Sequence, residues 1–258
     1  MPIIKIESSM RKGANVCFRI NTKIRNFFAF PVTSIYDIPI IINNFNRLTY
    51  LKLQINWLVN AGYKNIYIID NNSSYEPLLD FYETLPFTIF KLDQNIGHFS
   101  LWETVIYMKF KNSYYVYTDP DILPIEQCPN DFLNYFKKVL DEFPLIKKVG
   151  FGLKIDDLPT HYHLSEKVIK WEKQFWMNNI KDGLYDALID TTFALYKPGA
   201  KGGADGPAIR TSDKYIARHL PWYEDSNNLD DETRFYISST SQVSSWYKSL
   251  NGSNQQYD

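Results

Sequence analysis

Apolar and polar positions along this chain switch repeatedly between two periods. Short β-branched runs give way to stretches in which apolar residues recur every third or fourth position, and from Ile35 onward this predicts a mainly parallel α/β sheet. The first predicted strand covers 38–42. Beyond Asn43-Asn44-Phe45-Asn46-Arg47, residues Leu48, Leu51, Ile55, Leu58 and Val59 keep helical spacing until Gly62 supplies a stop. A second strand, 65–70, runs into Asp70-Asn71-Asn72-Ser73-Ser74 and a short helix with Pro77 in its first turn. A third, 87–92, leads through Asn95-Ile96-Gly97-His98 to a helix whose Ser100 and Glu103 have capping-box spacing. The fourth, 114–117, ends in Thr118-Asp119-Pro120-Asp121. An amphipathic helix is expected over 132–143, a strand over 149–155, a Trp-containing helix over 165–176 and a strand over 187–196. From Lys197 a Gly-rich stretch follows, and the polar last thirty residues read as a peripheral tail.

Four strands in succession thus end in loops rich in Asn, Asp and Gly. In a parallel sheet all these carboxyl ends open on one edge, where ligands bind. The 258 residues suffice for one compact domain of two fused halves, 35–150 and 151–225, between an N-terminal segment 1–34 and a C-terminal tail 226–258. In the N-terminal segment Lys5, Arg11, Lys12, Arg19, Lys23 and Arg25 face the single acid Glu7, and Phe27, Phe28 and Phe30 follow. It reads as a solvated strand pair or as a basic, aromatic contact with an anionic membrane surface. A formal net charge of −1 removes the electrostatic signature of nucleic-acid binding. The two cysteines, Cys17 and Cys128, have no zinc or disulfide spacing. With no apolar run of about 18 residues and no signal-peptide stretch, a cytoplasmic protein is expected, at most peripheral to a membrane.

Asp119 and Asp121 carry the strongest chemical signal. One residue apart at a strand end, they bring two carboxylates to one side while Pro120 ends the pairing. Such carboxylates repel unless a cation neutralises them, and hard oxygen ligands suit Mg²⁺ or Mn²⁺. The bland reading is an acidic loop, since Asp156-Asp157 and Asp230-Asp231 also occur.

Over residues 36–223 this ordered set of loops resembles a glycosyltransferase of the A fold that uses a nucleotide sugar, similar to family-2-like bacterial or viral members. Asn44 to Arg47 resembles the first loop, Asp70 the acid of the second strand, Asn95 and Gly97 the Asn-x-Gly turn, and Asp119 to Asp121 the Asp-x-Asp motif. The resemblance implies a Rossmann-like sheet flanked by helices, a nucleotide-sugar donor, a glycan or glycolipid acceptor and a divalent ion on the diphosphate. Donor contacts are then expected from Asn44, Asn46, Arg47, Asp70, Asn72, Asn95, Gly97 and His98. Asp121 is the primary metal ligand, Asp119 reaches the ribose or a metal-bound water, and His219 returns late in the chain to complete the metal site. His161 and His163 have no third ligand nearby in sequence and read as a loop. Asp190, an acid within a predicted apolar strand, is the first choice as catalytic base or sugar ligand, ahead of Asp186 and the Asp156-Asp157 pair. Arg210, Lys214 and Arg218 are candidate diphosphate cations; Trp102, Trp176 and above all Trp222 are candidate sugar platforms. Two features depart from the family pattern: proline between the acids, and no Glu-Asp pair of the kind many inverting members carry.

A nucleotidylyltransferase is expected to open with a Gly-rich phosphate loop, which the Asn-rich first loop lacks. The P-loop and Gly-x-Ser-x-Gly patterns are absent as well. The alternative from another class is a non-catalytic nucleotide-sugar or glycan-binding module with the same fold.

Overall fold

The computed structural model describes residues 3–6, 34–203 and 206–240. Expectations for the basic, aromatic stretch within 7–33, including Cys17, lie outside the described residues. The described strands are β1 (Ile3–Ile6), β2 (Ile40–Asn44), β3 (Ile66–Asp70), β4 (Thr88–Leu92), β5 (Tyr115–Thr118), β6 (Ile122–Pro124), β7 (Lys148–Leu153), β8 (Asn179–Lys181), β9 (Leu184–Asp186), β10 (Ala194–Tyr196) and β11 (Ala208–His219). The α-helices are α1 (Thr49–Asn60), α2 (Glu76–Thr84), α3 (Ser100–Glu103), α4 (Tyr107–Phe110), α5 (Phe132–Glu142), α6 (Ser165–Glu172) and α7 (Asp231–Ser239).

All described strands belong to one mixed sheet, ordered β1-β4-β3-β2-β5-β10-β7-β11-β9-β8, with β6 beside β11. Its first half is parallel, from β1 through β5. β10 then runs antiparallel to both β5 and β7, whereas β11 is parallel to β7. The fold is thus an α/β fold with a mixed sheet, compatible with a Rossmann-like arrangement.

The period-2 pattern decides which side chain enters which core. Ile40, Ile42, Ile68 and Val116 join the cluster that also holds Leu51, Ile55 and Leu58 of α1 and Phe132, Phe136 and Leu140 of α5. Ile41, Ile69, Tyr115 and Tyr117 point the other way, into a second cluster with Leu101, Tyr107 and Phe110. Both faces are covered, so the strands read as nearly continuous apolar runs.

Several expected elements differ in extent. The strand expected over 187–196 shrinks to Ala194–Tyr196, because Asp190 folds back to accept from its own Thr192 N–H at 3.1 Å. That local bond competes with pairing, and Asp190 stands in a loop rather than inside a strand. Ser100 is not a cap; its hydroxyl donates to the Asn43 side chain at 2.7 Å. Val59 is 40 % exposed although it sits at helical spacing. The twelve-residue β11 carries no clean alternation, since it changes neighbours along its length and shifts register between Thr211 and Ile216. Part of the expected polar tail forms α7, whose Glu232 and Thr233 are buried.

Topology places the site. β2, β3, β4 and β5 are parallel and end on one edge. Because β10 is antiparallel to β5, with Ala194 opposite Tyr117, the loop entering β10 opens on that same edge and brings Asp190 and Thr191 to it. β11 ends there too, where His219 pairs with Ile122 just past the second aspartate.

Candidate functional site

The Asp119-Pro120-Asp121 turn joins β5 to β6 and is held from three directions. From α1, the buried Gln54 amide donates to the Asp119 carbonyl at 2.9 Å, to the Ile122 carbonyl at 2.7 Å and to the Thr118 hydroxyl at 3.3 Å. From the loop before β10, the Thr191 hydroxyl donates to Asp119 Oδ2 at 2.7 Å. From the end of β11, His219 Nε2 lies 3.4 Å from Asp121 Oδ2, and the Leu220 N–H donates to the Asp121 carbonyl at 2.9 Å. The His219 ring is itself held edge-on by Trp222, 4.7 Å away between centroids.

The two carboxylates have opposite electrostatic fates. Burial, reinforced by the negative charges of Asp121 and Asp190, pushes Asp119 well above the ordinary carboxylate range, with the Thr191 bond pulling the other way. Burial also works against ionised Asp121, yet His219 and then Arg47 hold it below that range. Two neighbouring carboxylates are driven apart in this way, one favouring its proton and the other its charge. Asp121 Oδ1 is buried with no hydrogen-bond partner among the described residues. An oxygen so placed fits a hard divalent ion, while the His219 imidazole beside it is a ligand more usual for transition metals. Among the described residues no three His, Cys, Asp or Glu side chains gather tightly enough to enclose a metal by themselves. Mg²⁺ ordinarily takes only one or two carboxylates and fills its remaining positions with water and substrate phosphate.

Arg47 stands beside the site with its charge already paired to Glu224 at 2.9 Å and Glu232 at 3.9 Å. It is buried, with Nη2 donating to Glu224 at 2.9 Å and Nη1 to the Thr233 hydroxyl at 3.1 Å. Its guanidinium lies 4.2 Å from the ring centre of Tyr50 and 5.0 Å from that of Tyr236. Tyr50 also donates its hydroxyl to Glu224.

A third group of side chains shapes the loop after β4. Asn71 Nδ2 donates to Asn43 Oδ1 at 2.6 Å and to the Gly97 carbonyl at 3.1 Å, and Ile96 N–H donates back to Asn71 Oδ1 at 3.3 Å. The Tyr117 hydroxyl donates to the His98 carbonyl at 2.6 Å. Gly97 turns with φ of 85°, a region that disfavours side chains, and Asn95 Oδ1 accepts from its N–H at 2.9 Å. The His98 side chain remains exposed beside Phe99, with 4.0 Å between ring centroids.

The expected site residues therefore fall into groups. Asp119, Asp121, His219, Asp190 and Arg47 converge. Asn72, Asn95 and His98 are exposed on neighbouring loops of the same edge. Asn44, Asn46 and Asp70 are buried and hold the framework. Asn44 donates to the Tyr82 hydroxyl at 2.9 Å, and that hydroxyl donates to Asp70 at 3.1 Å. Asn46 adopts φ of 51° and accepts from the Ser74 and Tyr75 N–H groups at 2.8 and 3.1 Å. Asn tolerates that left-handed conformation and its amide both donates and accepts, so an Asn-rich loop serves the backbone as readily as a ligand.

Several candidates are engaged elsewhere. Arg210 is a buried ion pair with Glu172 at 2.8 Å and is unsuited to neutralising a diphosphate. Arg218 pairs with Glu126 and Asp157 at 3.1 and 3.0 Å, and Lys214 stands over Tyr215. Trp222 is fully buried and offers no sugar platform. Trp176 packs against Tyr185, while Trp102 donates to the Tyr115 hydroxyl at 2.9 Å. Asp186 accepts from Asn178 and Asp156 is paired with Lys154. His161 lies 3.5 Å from the Tyr223 carbonyl. Cys128 is a buried free thiol, pushed up to about 12 by burial.

Sequence reasoning missed Gln54, Thr191 and the residues of α7. Gln54 had a signal, a polar residue on the apolar face between Leu51 and Ile55; the α7 contacts, nearly two hundred positions from their partners, had none.

No protein-family model matches the chain, and no curated protein matches it. Among solved structures it is similar to a cytidylyltransferase from Leptospira borgpetersenii serovar Hardjo-bovis (strain JB197), at 10% identity and a TM-score of 0.33. The alignment covers 47% of this chain and 56% of the neighbour. Among the described residues no helix is long and apolar enough to cross a membrane.

Proposed function

We propose that the protein is a glycosyltransferase of the A-fold type, moving a sugar from a nucleoside-diphosphate sugar to a hydroxyl of a glycan or lipid-linked acceptor, with Mn²⁺ or Mg²⁺ at the Asp119–Asp121 turn. The observation that carries this reading is the meeting of Asp119, Asp121, Asp190, His219 and Arg47, drawn from four separate stretches of chain, at the carboxyl edge of the sheet. A bound divalent ion would neutralise the charge that develops on the departing diphosphate.

The chain's own groups then divide the work. Asp121 and His219 would hold the ion. Asp119, fixed by Thr191, faces the ribose or an ion-bound water. Neither Arg47 nor the N-terminus of α1 supplies an uncompensated positive charge, because Glu224 pairs with Arg47 at 2.9 Å and Glu232 accepts from the Leu48 and Thr49 N–H groups. The nucleoside rests over the loops carrying Asn72, Asn95 and His98. Asp190, exposed at the rim, takes the proton of the acceptor hydroxyl as its oxygen bonds to the anomeric carbon and the carbon–phosphate-oxygen bond breaks, releasing nucleoside diphosphate.

The test pairs two variants. Asp121→Ala is expected to abolish Mn²⁺-dependent nucleoside-diphosphate binding in calorimetry with the fold intact. Asp190→Asn is expected to keep donor binding and lose about 10²- to 10⁴-fold in kcat, the usual contribution of a base. Undiminished Mn²⁺-dependent binding by a folded Asp121→Ala protein would remove the ion site. Normal turnover by Asp190→Asn would remove the base.

A further inference from the structure

The loop that carries Asp190 has no regular secondary structure from 187 to 193, yet side chains of three neighbouring strands hold three of its carbonyls in a row. Arg210 Nε of β11 donates to the Leu188 carbonyl at 2.8 Å. Lys148 Nζ of β7 donates to the Ile189 carbonyl. The Tyr196 hydroxyl of β10 donates to the Asp190 carbonyl at 3.4 Å. Register explains the meeting, since Lys148 pairs with Tyr196 on one side and, on the other, with Ala208, two positions before Arg210.

Two of the three groups are buried cations. Lys148 is 1 % exposed and Arg210 3 %. Taking an ammonium or guanidinium group out of water is costly unless strong acceptors receive it. For Arg210 they include Glu172 at 2.8 Å, and the Phe175 ring centre lies 3.9 Å from its guanidinium. Lys148 finds acceptors in the loops: besides Ile189 it donates to the Gly203 carbonyl at 2.6 Å, so one ammonium ties the segment before β10 to the segment after it. Hydrogen bonds from charged donors are stronger than neutral ones, and these fall on the two residues just before Asp190. Beyond it, Thr191 is fixed on Asp119 at 2.7 Å and the Thr192 N–H donates to Asp190 Oδ1 at 3.1 Å. The exposed Asp190 carboxylate therefore stands on a backbone pinned from both sides.

We propose that Lys148 is a positioning residue for Asp190, acting with Arg210 and Tyr196 to fix the loop and hence the place of the Asp190 carboxylate beside the acceptor hydroxyl. The assignment rests on the reading of Asp190 as the base. It gives a buried lysine a part in turnover that runs through Asp190 alone.

The experiment is a double-mutant cycle on the full chain with Mn²⁺ and, as donors, UDP-glucose, UDP-N-acetylglucosamine and GDP-mannose, reading kcat of nucleoside-diphosphate release and donor Kd separately. Lys148→Met keeps the apolar stem and removes the ammonium group. It is expected to lower kcat about 10- to 100-fold, the scale of a misplacement of about 1 Å, at unchanged donor Kd, and to cost nothing further in an Asp190→Asn background. A lysine that only stabilises the fold would lower kcat by the same factor in both backgrounds, and that additivity overturns the assignment. Undiminished kcat in folded Lys148→Met beside an impaired Asp190→Asn also overturns it, while the base reading stands. Normal turnover by Asp190→Asn sinks the base reading, and turnover of no donor by the wild type sinks the donor reading; the assignment falls with either. Should Lys148→Met not fold, Tyr196→Phe carries the same cycle. It keeps the ring stacked on Tyr115, 5.0 Å between centroids, and drops the bond to the Asp190 carbonyl, for an expected loss of about 2- to 10-fold in kcat with the same overturning results.

Discussion

Gln54 shows how one buried amide can govern a site it never enters. Its Nε2 group bridges Thr118, Asp119 and Ile122, so the backbone path from β5 through both aspartates is tied to α1. Gln54→Leu keeps the volume and the apolar surroundings but leaves the Asp119 and Ile122 carbonyls without that donor. The expected cost is about 1–3 kcal/mol, read as a lower urea midpoint at unchanged m-value. An unshifted midpoint would mean that the turn holds itself. Thr191 does the complementary job on the side chain, fixing Asp119 Oδ2 at 2.7 Å. Neither residue belongs to a recognisable motif. Asp119 and Asp121 were legible because their spacing is local, whereas their supports come from α1 and from the loop before β10.

Among the elements, α7 depends on others most visibly. Its nine residues are too few to be stable alone in water, since isolated helices shorter than about 12–15 residues are marginal. Docking through Glu232 supplies what propensity does not. The Glu232 carboxylate accepts from the first N–H groups of α1, so a side chain of one helix caps another. Glu232→Ala is expected to leave those N–H groups unsatisfied, lower stability by about 1–3 kcal/mol and speed amide exchange across α7 before the sheet is affected. Unchanged exchange in α7 would show that its aromatic contacts suffice to dock it. α1 itself was readable from apolar periodicity and from Gly62, whose φ of 97° ends it. α7 looked like part of a polar tail because its apolar contacts are few and its most important ones are polar.

At the scale of the whole molecule, the buried ionisable groups on the sheet edge tie stability to pH. Burial pushes Asp70 above its ordinary 3.8, partly offset by bonds from Ser73 and Tyr82. Because the folded state then binds the proton more readily than the unfolded chain, this group's contribution is fully present below 3.8 and is lost as pH rises through the raised value. Asp70→Asn is expected to remove that part of the slope, so in urea titrations its stability relative to the wild type should improve as pH rises above 3.8 and level off once the raised value is passed. Parallel curves would show that Asp70 ionises in the fold as freely as in the unfolded chain. The sequence by itself determined the strand–loop–helix succession of the first half and the Asp119–Asp121 pair, because each is written in spacings of a few residues. Only the tertiary structure decided that β10 runs antiparallel and so turns Asp190 toward Asp119, that Asn44, Asn46 and Arg210 are committed to the framework, and that α7 lays Tyr236 beside Arg47. Those outcomes depend on which strands pair and which distant side chains satisfy a buried donor or acceptor, quantities set by the whole packing arrangement and carried by no local pattern.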